Sequence, residues 1–191
     1  MKNLILIMVL FFCLMTSFSR AQENYLTISG GYAFANVEDV DEGTTGWRVN
    51  ILYEFAPLGG NLSHGMSFGY IHTEGTATDQ GVVSSETEFK AGHFPLYYVP
   101  KYTFLDPEST FRPFVKGALG FHFSDYDKRG PLGGTVDTGD AGFYGGLGAG
   151  ITVNISELLL INLEYEWAYL SNSWYRDGFM NSAMLGIGFK F

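Results

Sequence analysis

Cysteine is almost absent from this 191-residue chain, since Cys13 is the only one. A framework of disulfide bonds is therefore excluded. Basic residues are also scarce: 11 Lys and Arg stand against 20 Asp and Glu, which gives a formal net charge of −9. This acidic balance argues against nucleic acid as a partner. Stability must come from packing or from a non-aqueous environment.

Long apolar runs are absent after the first 15 residues. Residues 4–15, "LILIMVLFFCLM", follow Lys2 and precede the small-residue positions Ser19 and Ala21. A spanning helix needs roughly 20 apolar residues, whereas this run has the length of a signal-peptide core. We predict a signal peptide over 1–21 and a mature domain over 22–191. Cleavage would remove the cysteine and two basic residues, leaving a charge of −11.

Glycine and aromatic residues are abundant instead, with 25 Gly and 32 Phe, Tyr and Trp. Apolar and small or polar residues alternate with a period of two, which indicates strands. Pro95 and Pro100 interrupt the fourth strand, where we expect a bulge or a change of register. The eight predicted strands lie at roughly 25–37, 46–56, 64–74, 87–104, 111–124, 141–153, 158–170 and 182–191.

The predicted connections alternate in length, with longer ones after the first, third, fifth and seventh strands. Short turns on one side and long loops on the other are typical of outer-membrane barrels. The less apolar face carries mainly Gly, Ala and Ser, which suits a narrow enclosed interior. We predict an all-β fold, an eight-stranded antiparallel up-and-down transmembrane β-barrel. The alternative is a secreted β-sandwich with an aromatic core.

Three parts of the sequence are informative together: the strand pair "HFPLYYVPKYTF" and "FRPFVKGALGFHF", the strand "GGLGAGITVNIS" and the terminal "GIGFKF". They resemble the small outer-membrane proteins known as the outer membrane protein beta-barrel domain family. The resemblance covers the mature chain and implies a location in the bacterial outer membrane. It also implies that Phe191 is an assembly signal recognised by the barrel-assembly machinery. Most members of the family have no defined chemistry.

Charged residues on the inward face form the main candidate site. Unpaired charges in a narrow lumen would be costly, so we expect them to pair across it as a plug. A proton or ion path and a gated pore are the alternatives. The seven residues of this predicted interior charge network are Arg48, Glu54, Arg112, Lys116, Glu164, Glu166 and Lys190.

Acidic residues cluster in two predicted loops, and their oxygens are of the kind that bind Ca²⁺ or Mg²⁺. Neither loop has the spacing of a calcium loop, so we interpret both as solvated surface. His64, His72, His93 and His122 show no ligand spacing, and we predict no metal site and no cofactor. The acidic residues are Glu38, Asp39, Asp41 and Glu42 in the first loop and Asp125, Asp127, Asp137 and Asp140 in the third.

The segment "AYLSNSWYRDG" resembles the lipid A deacylases, whose motif is His-any-Ser-Asn. Ser171 and Asn172 match, but Tyr169 stands at the histidine position and Ala183 at that of the acidic residue. A serine needs an adjacent base to become a nucleophile. We therefore predict no enzymatic activity and interpret the segment as the start of a turn.

The functional prediction is a non-enzymatic barrel with a structural or surface-interaction role. We expect a monomer that contacts outer-membrane lipid and lipopolysaccharide. A small-solute or hydrophobic-ligand channel is the first alternative, and a lipid A deacylase-like envelope enzyme is the second.

Overall fold

A computed structural model of the chain describes residues 22–37, 43–57, 60–79, 85–106, 108–129, 135–173 and 175–191. The predicted signal peptide over 1–21 and the four acidic residues of the first loop lie outside them. Within the described ranges, no helix has the length and apolar character needed to cross a membrane.

Eight antiparallel strands close into a barrel, in which each strand pairs with its neighbours along the chain and β8 pairs with β1. The predicted fold class is therefore confirmed. Three short turns and the chain ends of the described barrel lie at one end, which we call the turn end, and the other four connections lie at the hairpin end. The strands are β1 (Gln22–Val37), β2 (Thr44–Pro57), β3 (Leu62–Asp79), β4 (Ser85–Thr103), β5 (Phe111–Arg129), β6 (Thr135–Asn154), β7 (Leu159–Leu170) and β8 (Tyr175–Lys190).

The prediction of a bulge or register change at the prolines of β4 is wrong. Phe68 pairs with Leu96 and Ile71 with His93, which is one continuous register between β3 and β4. The register between β4 and β5 is likewise unchanged on either side of Pro100. Each proline only removes an N–H group from the ladder, and the alternation of faces continues through both.

The strands sort their side chains as the period of two predicts. Outward positions carry large apolar residues, of which Phe121 (67% exposed), Leu147 (64%) and Leu163 (59%) are examples. Inward positions carry polar and small residues together with buried aromatic and aliphatic ones such as Tyr97, Tyr144 and Leu170. This inverted arrangement, apolar outside and polar inside, is that of a barrel surrounded by lipid. Pairs of outward aromatic rings are in contact near both ends, including Trp167 with Phe179 at 4.6 Å.

Two of the predicted long loops are mostly strand. β3 continues to Asp79 and pairs with the start of β4, while β5 continues to Arg129 and pairs with the start of β6. The polar, glycine-containing sequence of these segments does not predict strands. They still form strands, because the hydrogen bonds of the ladder join backbone groups only. We call the hairpin ends of β3–β6 the raised wall, namely residues 75–79, 85–92, 125–129 and 135–139.

The raised wall has two strand edges without a ladder partner among the described strands. β2 pairs with β3 only as far as Glu74, and β7 pairs with β6 only from Tyr144. Beyond those residues, the wall is a four-stranded sheet that stands above the rest of the barrel. At about 3.4 Å per residue, β3 rises roughly 17 Å beyond its last pair with β2.

Candidate functional site: the closed lumen

Two cations and two carboxylates meet in the middle of the lumen, and we call them the central layer. They are Arg48, Lys116, Glu164 and Glu166. Arg48 Nη1 lies 2.7 Å from Glu166 Oε1, and both side chains are fully buried. Lys116 Nζ lies 2.6 Å from Glu164 Oε1 and 2.6 Å from Glu166 Oε2. The layer is therefore neutral, and each charge has at least one opposite charge in contact.

A shell of neutral polar groups completes the hydrogen bonding of Arg48. Its guanidinium donates to Ser182 Oγ (3.0 Å), Tyr97 OH (2.8 Å) and Asn50 Oδ1 (3.2 Å). On the opposite side, the Tyr144 hydroxyl donates to Glu166. A buried ion pair stabilises a fold only when such additional bonds compensate for the lost hydration, and Arg48 has three of them.

Aromatic rings fill the space around the central layer. Tyr97 and Tyr144 stack with their centroids 4.7 Å apart, and both are fully buried. The Arg48 guanidinium lies 5.9 Å and 5.8 Å from the two ring centroids, within cation–π range. Cations, carboxylates and rings together span the lumen at this level.

A second group of charges lies nearer the turn end, and we call it the turn-end layer. Its members are Glu23, Glu54, Lys101, Arg112 and Lys190. Lys101 Nζ lies 3.1 Å and 3.0 Å from the two oxygens of Glu54. Lys190 Nζ lies 2.7 Å from Glu23 Oε1, at the rim, where the Lys190 side chain is 37% exposed. Arg112 forms no salt bridge with any described residue.

Neutral side chains form a third layer at the hairpin end, which we call the histidine layer. His93 Nδ1 and His122 Nδ1 both contact Ser124 Oγ, at 2.6 Å and 2.7 Å. His93 Nε2 lies 2.8 Å from Tyr175 OH, which lies 2.7 Å from Thr73 Oγ1. All five side chains are buried.

The donor and acceptor roles along these hydrogen bonds follow from the last acceptor of the series. His122 Nε2 lies 2.8 Å from the carbonyl oxygen of Ser171, which can only accept. With both rings neutral, His122 Nδ1 then accepts from Ser124, and Ser124 accepts from His93. His93 Nε2 in turn accepts from Tyr175, whose oxygen accepts from Thr73. Every donor in the layer has one acceptor, so the arrangement is a satisfied network.

The structure places all seven residues of the predicted interior charge network on inward positions. Four of them form the central layer, and three lie in the turn-end layer. Arg112 lies apart from Glu164 and Glu166, at the turn end. Sequence reasoning missed Glu23 and Lys101 as interior charges. The odd-numbered inward face of β4 identifies Lys101, but its prolines obscured that pattern.

Ser171 is not arranged as a nucleophile. Its Oγ accepts the N–H of Phe143 at 2.7 Å, and the nearby His122 directs Nε2 towards the Ser171 carbonyl rather than towards Oγ. A base must present a free nitrogen to the hydroxyl. Tyr169 is on the outward face, 39% exposed.

The described residues hold no group of three His, Cys, Asp or Glu side chains arranged for a metal ion. The acidic residues expected in the third loop lie in strands instead. Asp125 and Asp127 belong to β5, and Asp137 and Asp140 belong to β6. Asp127 and Asp137 occupy paired positions of the β5–β6 ladder.

Residues 4–191 match the family model of the outer membrane protein beta-barrel domain. The chain belongs to this family and is a protein of the bacterial outer membrane. By the general rule for such barrels, short turns face the periplasm, so the turn end is periplasmic and the raised wall is extracellular. No curated protein matches the sequence.

Solved structures share the fold at low sequence identity. A major outer membrane protein of Thermus thermophilus is 10% identical, with 90% of this chain and 100% of that chain covered and a TM-score of 0.62. Neisserial surface protein A (NspA) is 13% identical, with coverages of 88% and 97% and a TM-score of 0.58. Ail, the attachment invasion locus protein of Yersinia pestis, is 22% identical, with coverages of 90% and 100% and a TM-score of 0.51.

Proposed function

We propose that this protein is a non-enzymatic outer-membrane barrel with a closed lumen, whose function is surface interaction through its extracellular side. The observation that carries the proposal is the central layer, in which Arg48 and Glu166 are fully buried in a neutral ion-pair cluster. An eight-stranded barrel is just wide enough for side chains to fill. This support favours a plug over the alternative, a small-solute or hydrophobic-ligand channel.

The raised wall supports the surface role. Four strands extend beyond the level at which β2 and β7 stop pairing, although the barrel does not need them for closure. Unpaired strand edges can pair with another chain. The geometry of Ser171 supports the absence of deacylase activity, since no base faces its hydroxyl.

A liposome-swelling assay tests the closed lumen. Proteoliposomes that contain the refolded barrel should swell no faster than protein-free liposomes in small sugars or amino acids. Swelling that depends on the amount of barrel and on solute size would instead support the channel.

Shortening the β3–β4 and β5–β6 hairpins to tight turns tests the surface role. Cells that express the wild type should attach to surfaces better than cells without the barrel, whereas the variant should retain its folded migration on gels but give no such gain. Equal attachment with variant and wild type would contradict the role.

Phe191 is proposed to act as the assembly signal. Its backbone N–H donates to the Asn24 carbonyl at 3.0 Å, which ties the end of the chain to β1. Its ring is 65% exposed on the outer surface and free for recognition by the barrel-assembly machinery. Deletion of Phe191 should lower the level of assembled, heat-modifiable barrel in outer membranes. Wild-type levels in the deletion would refute this role.

A further inference from the structure

Arg112 is a buried cation without a carboxylate partner. Only 8% of the residue is exposed, yet it forms no salt bridge with any described residue, unlike the other buried cations of the lumen, Arg48, Lys101 and Lys116. In the part of the chain that the structure describes, its Nε has no hydrogen-bond partner. A buried charge without a counter-charge is strongly unfavourable, so the site calls for an anion.

Tyr25 and Glu23 lie close to Arg112, but neither forms a salt bridge with it. Its guanidinium lies beside the Tyr25 hydroxyl, which donates to Glu23 at 2.5 Å. Glu23 is already paired with Lys190, and Glu54 is paired with Lys101. The turn-end layer thus holds three cations and two carboxylates, and the excess positive charge belongs to Arg112.

Arg112 lines a cavity that can receive the missing charge. The volume is about 20 Å³, enough for a water-sized group such as one oxygen of an oxyanion. Polar side chains of the lining include Asn162, Thr152 and the ion pair of Lys101 with Glu54, and the cavity reaches the β2–β3 turn at residues 60–61. It therefore lies on the periplasmic side of the central layer.

We propose that this cavity binds a small free oxyanion, a carboxylate or an inorganic phosphate, from the periplasm. The Nε–H of Arg112 is buried and has no acceptor among the described residues, and a guanidinium offers its Nε and Nη donors side by side to two oxygens of one oxyanion. The ligand supplies a counter-charge for Arg112. The site is separate from the extracellular surface role and does not depend on it.

The Nε–H resonance of Arg112 provides the direct test. The wild-type barrel is titrated in a non-ionic detergent with sodium acetate or sodium phosphate, at an ionic strength held constant by a bulky organic sulfonate. We expect a saturable shift of the Arg112 resonance and no shift of the Arg48 resonance in the central layer. A response to chloride alone, or no response, would overturn the proposal.

Charge variants provide a second, independent readout. Acetate should raise the urea midpoint of the wild type by mass action and leave that of Arg112→Met unchanged. Glu23→Gln should tighten acetate binding about fivefold, or about 1 kcal/mol, because it removes a competing carboxylate. Glu157→Gln, an equal change of charge in the exposed β6–β7 turn, is the matched control and should not alter binding. An equal midpoint increase in Arg112→Met, or equal tightening in both Gln variants, would contradict the site.

Discussion

The central layer and the turn-end layer differ in charge balance, although both line the same narrow lumen. The central layer contains two cations and two carboxylates, and Arg48 has four hydrogen-bond acceptors around it. The turn-end layer has one cation in excess, its rim pair is partly exposed, and its Arg112 Nε has no partner. A fully compensated layer closes the barrel, whereas an incompletely compensated one can accept a ligand.

The depth of each layer in the barrel explains why its charges need more or fewer oppositely charged partners. At the rim, water screens Lys190 and Glu23, so that such a pair contributes little to stability. In the centre Arg48 and Glu166 are fully buried, and the loss of one partner leaves a buried charge. Stability should therefore depend strongly on the central layer and weakly on the rim.

Among the lumen variants, Arg48→Met should lower the free energy of unfolding the most. It removes the guanidinium but keeps much of its volume, and it leaves Glu166 without its Arg48 ion pair and Ser182 without the donor that reaches it. We expect a loss of about 5 kcal/mol in the free energy of unfolding, measured by urea unfolding in detergent or lipid. Lys190→Gln is the rim control, with an expected loss below about 1 kcal/mol. Similar losses of unfolding free energy in the two variants would contradict the expected difference between the central layer and the rim.

Glu166→Gln and Glu164→Gln form a matched pair within the central layer. Glu166 contacts both Arg48 and Lys116, whereas Glu164 contacts only Lys116 and its side chain is 13% exposed. We expect losses of about 3 kcal/mol for Glu166→Gln and about 1–2 kcal/mol for Glu164→Gln. The reverse order in urea midpoints would show that the central layer is organised differently.

Ser124→Ala tests the neutral histidine layer. The substitution removes the hydroxyl that joins His93 to His122, and it leaves a buried donor and a buried acceptor unpaired. We expect a loss of about 1–3 kcal/mol, smaller than that of Arg48→Met because no charge is left without a partner. A loss as large as that of Arg48→Met would mean that an imidazole in this layer is charged.

The period of two in the sequence was sufficient to predict the strands, their number and the inward position of each predicted lumen charge. The pairing of these charges was not predictable, because Arg48 and Glu166 are 118 residues apart and meet only after β1 pairs with β8. For the same reason, the sequence did not predict that Arg112 lies apart from the carboxylates of the lumen. The raised wall was not predicted as strand, since its polar, glycine-containing sequence gives no regular apolar alternation.

Ser171→Ala should have the smallest effect. The hydroxyl caps the Phe143 N–H and has no base directed towards it, so we expect unchanged acylation of envelope lipid in cells that express the variant. Mass spectrometry of extracted lipid A checks this expectation. A difference between variant and wild type would revive the deacylase hypothesis and would place His122 in a catalytic role.

Single-channel recording in planar bilayers tests the closed lumen most directly. The purified wild-type barrel, inserted at confirmed density, should give no stable conductance steps, because the central layer fills the lumen with side chains in mutual contact. The recording should be made in chloride and in acetate, so that occupancy of the Arg112 cavity is varied independently. Reproducible unitary steps from the wild type in either salt would contradict the account.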